Sequence, residues 1–185
     1  FAVAAPLSGR RVELTNRSWI IDSDRLLQKF PLVELSLVND FEAVGYGIGE
    51  LEEKDLIVLQ QGKPEAKSLR AVIGAGTGLG QAILSPLHKN WRVWPTEGGH
   101  TDFAAQDIQQ QALLNKLFEQ FEHVSYERIL SGSGLVTLYQ FVVEQQGINT
   151  SLNLTAEQIS QSALQKTDPA AITAMHLFMQ IYGAQ

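Results

Sequence analysis

Glycine occupies every second position of Gly74-Ala75-Gly76-Thr77-Gly78-Leu79-Gly80, between two apolar runs, Leu69 to Ile73 and Leu79 to Leu84. The runs read as two strands, so the glycines sit in a hairpin turn. Without Cβ atoms, the backbone N–H groups of such a turn can converge on an anion such as a phosphate. Two readings follow: a phosphate-facing turn with the Thr77 hydroxyl as an extra donor, or a tight hairpin whose glycines supply φ > 0. The dinucleotide fingerprint G-x-G-x-x-G fails, because it requires glycine at position 79 or 81, which hold Leu79 and Gln81. No Gly-Lys-Ser/Thr follows, and the loop leads into a strand, so local order predicts no helix dipole at the anion.

The 185 residues suffice for one ordinary domain or two small ones with a real core. Hydrophobic residues are 44% and charged residues 18%, which argues for a globular chain over a disordered one. A net charge of −6, with Arg10-Arg11 only a pair, excludes a broad nucleic-acid surface. The absence of cysteine excludes disulfides, thiol catalysis and cysteine-ligated zinc, and fits a cytoplasmic protein. No apolar run reaches the length of a membrane span, and Phe1 to Leu7 lacks the charged leader of a signal peptide. The chain opens inside a strand-like segment and closes straight out of a helical pattern, so a fragment is expected.

In order, the pattern predicts a buried strand over residues 1–5 ended by Pro6, and a short strand within Val12 to Trp19 followed by the polar loop Thr15-Asn16-Arg17-Ser18. A helix capped by Asp22 or Ser23 is stopped by Pro31, and a strand over Val33 to Val38 ends on Asn39-Asp40. A helix over Phe41 to about Leu51 and a strand over Leu56 to Leu59 come next. The polar stretch Gln60 to Ser68, with Gly62 and Pro64, is the candidate domain boundary. After the hairpin and a third strand at Trp91 to Trp94, Asp107 caps a helix to about Phe121 with Ile108, Leu113, Leu114, Leu117, Phe118 and Phe121 as its stripe. A turn of helix at Ser125 to Glu127 is broken at Ser131-Gly132-Ser133-Gly134, and helices follow from Leu135 to Gln146, from a Thr155/Gln158 capping box to Lys166, and from Asp168-Pro169 onward. Strands with interleaved helices, then mostly helices, indicate an α/β domain over 1–66 and the first part of a second, helix-rich one over 67–185.

Asn39-Asp40 ends a strand just before a helix, where open α/β sheets bind ligands. There Asp40 can accept a proton from a hydroxyl nucleophile while Asn39 orients it, or Asp40 simply caps the helix. Glu97 and His100 suit hydrogen bonding to a hydroxyl-rich ligand better than metal binding, for which one His and one Glu are a thin set; loop polarity is the alternative. Glu127 is a further candidate or an exposed helical residue. Trp91 and Trp94 read as half-buried strand residues, and His88, His123 and His176 as non-functional.

Four ordered stretches, LVNDFEAVGYGI, VIGAGTGLGQAIL, WPTEGGHTDFA and SYERILSGSGLVTLYQF, resemble the bacterial glucokinase family at family-like spacing, with a weak extension to TNRSW. The resemblance implies the actin-like, ribonuclease-H-like α/β fold and an ATP-dependent kinase that phosphorylates the 6-hydroxyl of glucose. In that reading Asp40 is the catalytic base. Asn39, Glu97, His100 and Glu127 hydrogen-bond the other glucose hydroxyls, while Gly76, Thr77 and Gly78 face the transferred phosphate. The partners implied are glucose and ATP, with Mg2+ brought by the nucleotide and no protein metal site. The full-length protein would be a cytoplasmic homodimer, acting without nucleic acid or membrane. The family closes two domains over the sugar, which excludes water from the γ-phosphate.

The chain departs from the family in lacking its Asp-x-Gly-Gly-Thr hairpin and its C-terminal adenosine-binding segment. These 185 residues alone are therefore expected to show little kinase activity. The alternative reading is a non-catalytic sugar-binding or regulatory module of the same fold. The cysteine-rich zinc motif of the related repressor and sugar-kinase branch is also absent, which favours the glucokinase branch.

Overall fold

The computed structural model describes residues 1–5, 7, 9–14, 18–63, 65, 67–148 and 153–185. Pro6, the loop residues Thr15, Asn16 and Arg17, and Pro64 of the expected linker lie outside these described residues. The chain divides into unit 1, Phe1–Val72 with Gln81–Thr96, and unit 2, Ile73–Gly80 with Glu97–Gln185.

In unit 1, β1 (Ala2–Val3) pairs in parallel with β4 (Val38–Asn39), matching Ala2 to Val38 and Val3 to Asn39. Strands β2 (Arg11–Glu13) and β3 (Ile20–Asp22) form an antiparallel pair. Val3, Ala5 and Val12 bury their side chains together, with Leu7, Leu14, Ile21 and Leu37 around them. Asp22 accepts from the backbone N–H groups of Asp24 and Arg25 and so starts α1 (Ser23–Lys29), which ends before Pro31. Helix α2 (Asp40–Gly47) continues as a 3-10 turn over Ile48–Glu50.

Strands β5 (Arg70–Ala75), β6 (Leu79–Leu87) and β7 (Asn90–Thr96) form a sheet in that order, with β6 and β7 antiparallel from Gln81↔Thr96 to Leu87↔Asn90. Ala82, Leu84 and Val93 form its core within unit 1. Gly45 of α2 lies so close to Val93 that a Cβ there would displace the valine methyls. That approach draws the 81–96 hairpin into unit 1, whereas the sequence pattern places a single break after residue 66.

Unit 2 is built on α3 (Ile108–Phe118), α4 (Gly132–Gln145), α5 (Ala156–Leu164) and α6 (Pro169–Ala184). Each starts on the residue type that satisfies orphan N–H groups: Asp107, Ser131, Thr155 with Gln158 in a capping box, and Asp168 before Pro169. Leu113, Leu117, Ile129, Leu130, Leu138, Ile159, Leu177 and Ile181 fill the core between them. The Tyr182 hydroxyl donates to the Ile73 carbonyl at 2.9 Å, tying α6 to β5. Among the described residues no helix is long and apolar enough to cross a membrane.

Four expectations about elements need correction. Leu56 to Leu59 form no strand, and Ile57 and Leu59 are 87% and 90% exposed, because among the described residues no strand pairs with the run. Only Val38 of the run from Val33 pairs in a strand. Helix α4 begins at Gly132 rather than Leu135, because the buried Ser131 hydroxyl caps it through the Gly134 N–H. Ile108 and Phe118 are exposed and drop out of the α3 stripe, which leaves Leu113 and Leu117 as its buried pair.

Candidate functional site

Unit 1 holds Asn39 and Asp40 at the carboxyl end of β4, where α2 begins. Asn39, not Asp40, is the cap: its Oδ1 accepts from the Phe41 N–H at 2.9 Å and the Glu42 N–H at 3.2 Å. The carbonyl oxygen of that amide is thereby committed, and its NH2 group is left to donate outward. Asp40 is the first helical residue, and its Oδ1 accepts from the Phe41 N–H at 2.9 Å. No hydrogen bond to its Oδ2 is formed among the described residues.

Unit 2 brings the other candidates together. Residues 101–103 run antiparallel to 124–126, through Phe103 N–H to Val124 O at 2.9 Å, Tyr126 N–H to Thr101 O at 3.1 Å and an Asp102–Ser125 bridge. Phe103 and Tyr126 pack edge to face beneath it, with ring centroids 5.5 Å apart. This pairing carries Glu127, on a 3-10 turn, to the 3-10 turn Gly98–His100. His100 then lies between two carboxylates, its Nε2 3.6 Å from Glu97 Oε2 and its Nδ1 3.8 Å from Glu127 Oε1. Both separations exceed a direct hydrogen bond, so the facing atoms keep donor and acceptor capacity for a third party.

The glycine loop meets the same residues. Gly76 N–H donates to Gly78 O at 2.8 Å, and Leu79 N–H donates to Glu127 Oε2 at 2.9 Å. A Cβ on Gly78 would collide with that carboxylate, and one on Gly99 would collide with the Leu79 carbonyl. Gly76 and Gly78 do not adopt positive φ, which among the described glycines belongs to Gly9 and Gly147. The close approach of the Glu127 carboxylate, rather than a left-handed turn, is what marks Gly78: a side chain there would have to push that flexible end aside.

The expectation that no helix dipole stands at the glycine loop does not hold. The loop does lead into β6, yet the first turn of α4 reaches it from far downstream, with Gly132 N–H donating to Gly76 O at 2.9 Å. The positive end of a fourteen-residue helix therefore stands at the loop, beside the exposed Thr77.

His100 and Glu127 also line a cavity of about 440 Å3 with Gln120, Phe121, Glu122, His123, Ser125 and Arg128. Its size falls in the range of small-molecule sites, about 300–1,000 Å3. The Arg128 guanidinium stacks over the Phe121 ring, 4.3 Å from its centroid, and His123 Nε2 lies 2.7 Å from Asp102 Oδ1. His123, read from sequence as non-functional, thus lines this cavity, and its distance in sequence from Asp102 gives no signal of the pairing. Ser131 and Gly134 were likewise hidden in an apparent helix breaker. Among the described residues no group of three or more His, Asp and Glu side chains is arranged to hold a metal ion.

The glucokinase family model matches residues 1–185. A glucokinase of Nostoc punctiforme is 37% identical over 100% of this chain and 60% of its own length, and one of Photorhabdus laumondii is 42% identical over 98% and 56%. Among solved structures, a glucokinase from an Antarctic psychrotroph superposes with a TM-score of 0.82 at 33% identity, covering 98% of this chain and 56% of that one. The Balamuthia mandrillaris glucokinase in complex with glucose gives 0.77 at 25% identity, covering 98% and 57%. The chain thus spans about 60% or slightly less of the length of these curated relatives. The α/β fold is the actin-like, ribonuclease-H-like kinase fold of those neighbours. With its motifs matched from the first residue to the last, the chain belongs to the glucokinase family.

Proposed function

We propose that the chain carries the sugar-binding part and one wall of the nucleotide site of an ATP-dependent glucokinase. The reaction joins the 6-hydroxyl oxygen of glucose to the γ-phosphorus of ATP as the bond from that phosphorus to the bridging oxygen breaks, giving glucose 6-phosphate and ADP. Asp40 accepts the hydroxyl proton, and the Asn39 NH2 group donates to a neighbouring sugar hydroxyl. Glu97, His100 and Glu127 bind further hydroxyls, while Gly76, Thr77 and Gly78 face the transferred phosphate, with the α4 terminus adding favourable potential. Phosphoryl transfer asks mainly for such positioning and charge stabilisation. Mg2+ arrives on the nucleotide phosphates. Residues 1–66 are read as the remainder of the small domain and residues 67–185 as the first part of the large one. A cytoplasmic location and a homodimeric full-length protein complete the reading.

The observation that carries this proposal is the His100 imidazole set between Glu97 and Glu127 at 3.6 and 3.8 Å, with Glu127 also bonded to the glycine loop. Carboxylates and an imidazole at those spacings offer alternating acceptors and donors to a polyol, beside an anion-facing turn. A site of this kind rejects analogues that lack a hydroxyl, since its polar groups would be left unpaired.

Calorimetric titration with glucose tests the sugar site. Saturable binding is expected, with affinity reduced about tenfold or more in Glu97→Ala and in His100→Ala. No heat of binding from folded protein overturns the sugar assignment. In protein extended to the length of its relatives, Asp40→Asn is expected to lower kcat about 10^2–10^4-fold while glucose affinity stays within about threefold. Unchanged kcat removes Asp40 as the base.

A further inference from the structure

Glu127 uses its two carboxylate oxygens on two different segments. Oε1 faces His100 Nδ1 at 3.8 Å, on the side read above as sugar-binding. Oε2 accepts from the Leu79 N–H at 2.9 Å and fills the space that a side chain on Gly78 would need. The side chain is 33% exposed, so water competes only partly for these contacts. The loop is braced twice more, by Gly132 N–H on the Gly76 carbonyl and by Gly99 packed against the Leu79 carbonyl. Both braces come from segments next to the candidate sugar ligands: Gly99 adjoins His100, and Gly132 follows the turn that carries Glu127.

We propose that Glu127 is a positioning residue for the glycine loop, anchoring it through the Leu79 N–H so that occupancy of the sugar site and order of the loop are coupled. The coupling rests on the sugar-binding reading of Glu127, while the anchor stands on the hydrogen bond itself. A sugar hydroxyl donating to Oε1 restricts rotation of the carboxylate and holds Oε2 on the Leu79 N–H. The loop is then ordered before a phosphate reaches it, and the phosphate pays less ordering entropy. By linkage, a phosphate on the loop strengthens sugar binding by the same factor. Gly78 gives access to this device: its φ is not left-handed, so alanine fits the backbone and only the flexible carboxylate end must move aside.

Amide hydrogen exchange, read residue by residue by NMR, tests both statements. In Glu127→Ala the Leu79 amide is expected to exchange about tenfold faster, the effect of losing a charged acceptor. Glu127→Gln, which keeps an acceptor oxygen, should rescue it to within about threefold. Gly78→Ala should speed Leu79 exchange in the same direction while the carboxylate remains in the chain. The Ile159 amide, bonded to Thr155 O within α5, reports global opening and should not change. If Glu127→Ala also accelerates Ile159, Gly78→Ala decides. An unchanged Leu79 amide in both variants overturns the anchor. Glucose should slow Leu79 exchange in the parent protein and fail to do so in Gly78→Ala. Glucose that shifts other resonances but leaves Leu79 exchange unaltered overturns the coupling alone. Glucose that shifts no resonance overturns the sugar reading, and the coupling with it, while a faster Leu79 amide in Glu127→Ala still establishes the anchor.

Discussion

A buried phenol that donates to a carboxylate can hold two helices in register, and Tyr139 is such a residue. Its hydroxyl lies 2.8 Å from Asp168 Oδ2, and Asp168 Oδ1 accepts from the Ala170 and Ala171 N–H groups at the start of α6. One aspartate thus caps α6 and receives α4. Burial first, and the hydrogen bond and charge of Asp168 after it, push the Tyr139 pKa from 10.0 up to about 12. Below pH 10 the phenol is protonated in folded and unfolded chains alike, so its contribution is intact. Between about 10 and 12 the unfolded chain releases the proton first, and stability falls as pH rises. Tyr139→Phe should cost about 1 kcal/mol near pH 8. Its deficit should shrink as pH climbs past 10, as measured by urea unfolding at several pH values; parallel stability curves would remove the assigned shift. Legibility at this scale was uneven. The pairing of Glu97 with His100 is local and readable in a four-residue window. The contact of Glu127 with Leu79 is not, because it depends on how two distant turns fold back on one another. Asp40 could be read as cap or base, and the geometry gives the cap to Asn39 instead.

Helix starts were legible wherever a short polar side chain satisfies its own following N–H groups. Asp22, Asp107, Thr155 with Gln158, and Asp168 before Pro169 all cap the helices that the spacing predicts. Ser131-Gly132-Ser133-Gly134 reads instead as a breaker, since two glycines disfavour a helix. The structure makes them its first turn for different reasons. A Cβ on Gly134 would collide with the Ile129 carbonyl, while one on Gly132 would rest in ordinary contact with Gly76 O at 3.7 Å and Ala156 Cβ at 3.8 Å. Gly134→Ala must therefore push backbone against backbone and should destabilise by about 2 kcal/mol or more. Gly132→Ala keeps its N–H on Gly76 and should fall within about 0.5 kcal/mol of the parent. Unfolding midpoints for the two variants, measured side by side, check this; equal midpoints would remove close approach as the reason for Gly134. Strands were less legible because an apolar run states only that pairing is possible. Leu56 to Leu59 has the composition of a strand but pairs with no strand among the described residues.

The two units interleave in sequence, since unit 1 takes residues up to Val72 and again Gln81–Thr96, and a return of this kind leaves no mark in local composition. The units also differ in how much apolar surface they bury. Among the described residues unit 2 has one core of eighteen buried side chains, from Leu79 to Ile181. Unit 1 has two clusters, Val3 with Ala5 and Val12, and Ala82 with Leu84 and Val93, while Val33, Ile57, Val58 and Leu59 stay exposed. Stabilisation scales with apolar area removed from water, so unit 1 should open at lower denaturant than unit 2. Trp19, Trp91 and Trp94 all fall in unit 1, and they are the only tryptophans in the chain. The longest helices, α3 to α6, all fall in unit 2. Tryptophan emission therefore follows unit 1, and far-ultraviolet ellipticity is dominated by unit 2. In a urea titration the fluorescence midpoint should precede the ellipticity midpoint, and on the sugar-binding reading proposed above glucose should move the ellipticity midpoint upward through Glu97, His100 and Glu127. Coincident midpoints in the absence of sugar would mean that the two units unfold as one cooperative body, with unit 1 drawing its stability from beyond its own two small cores.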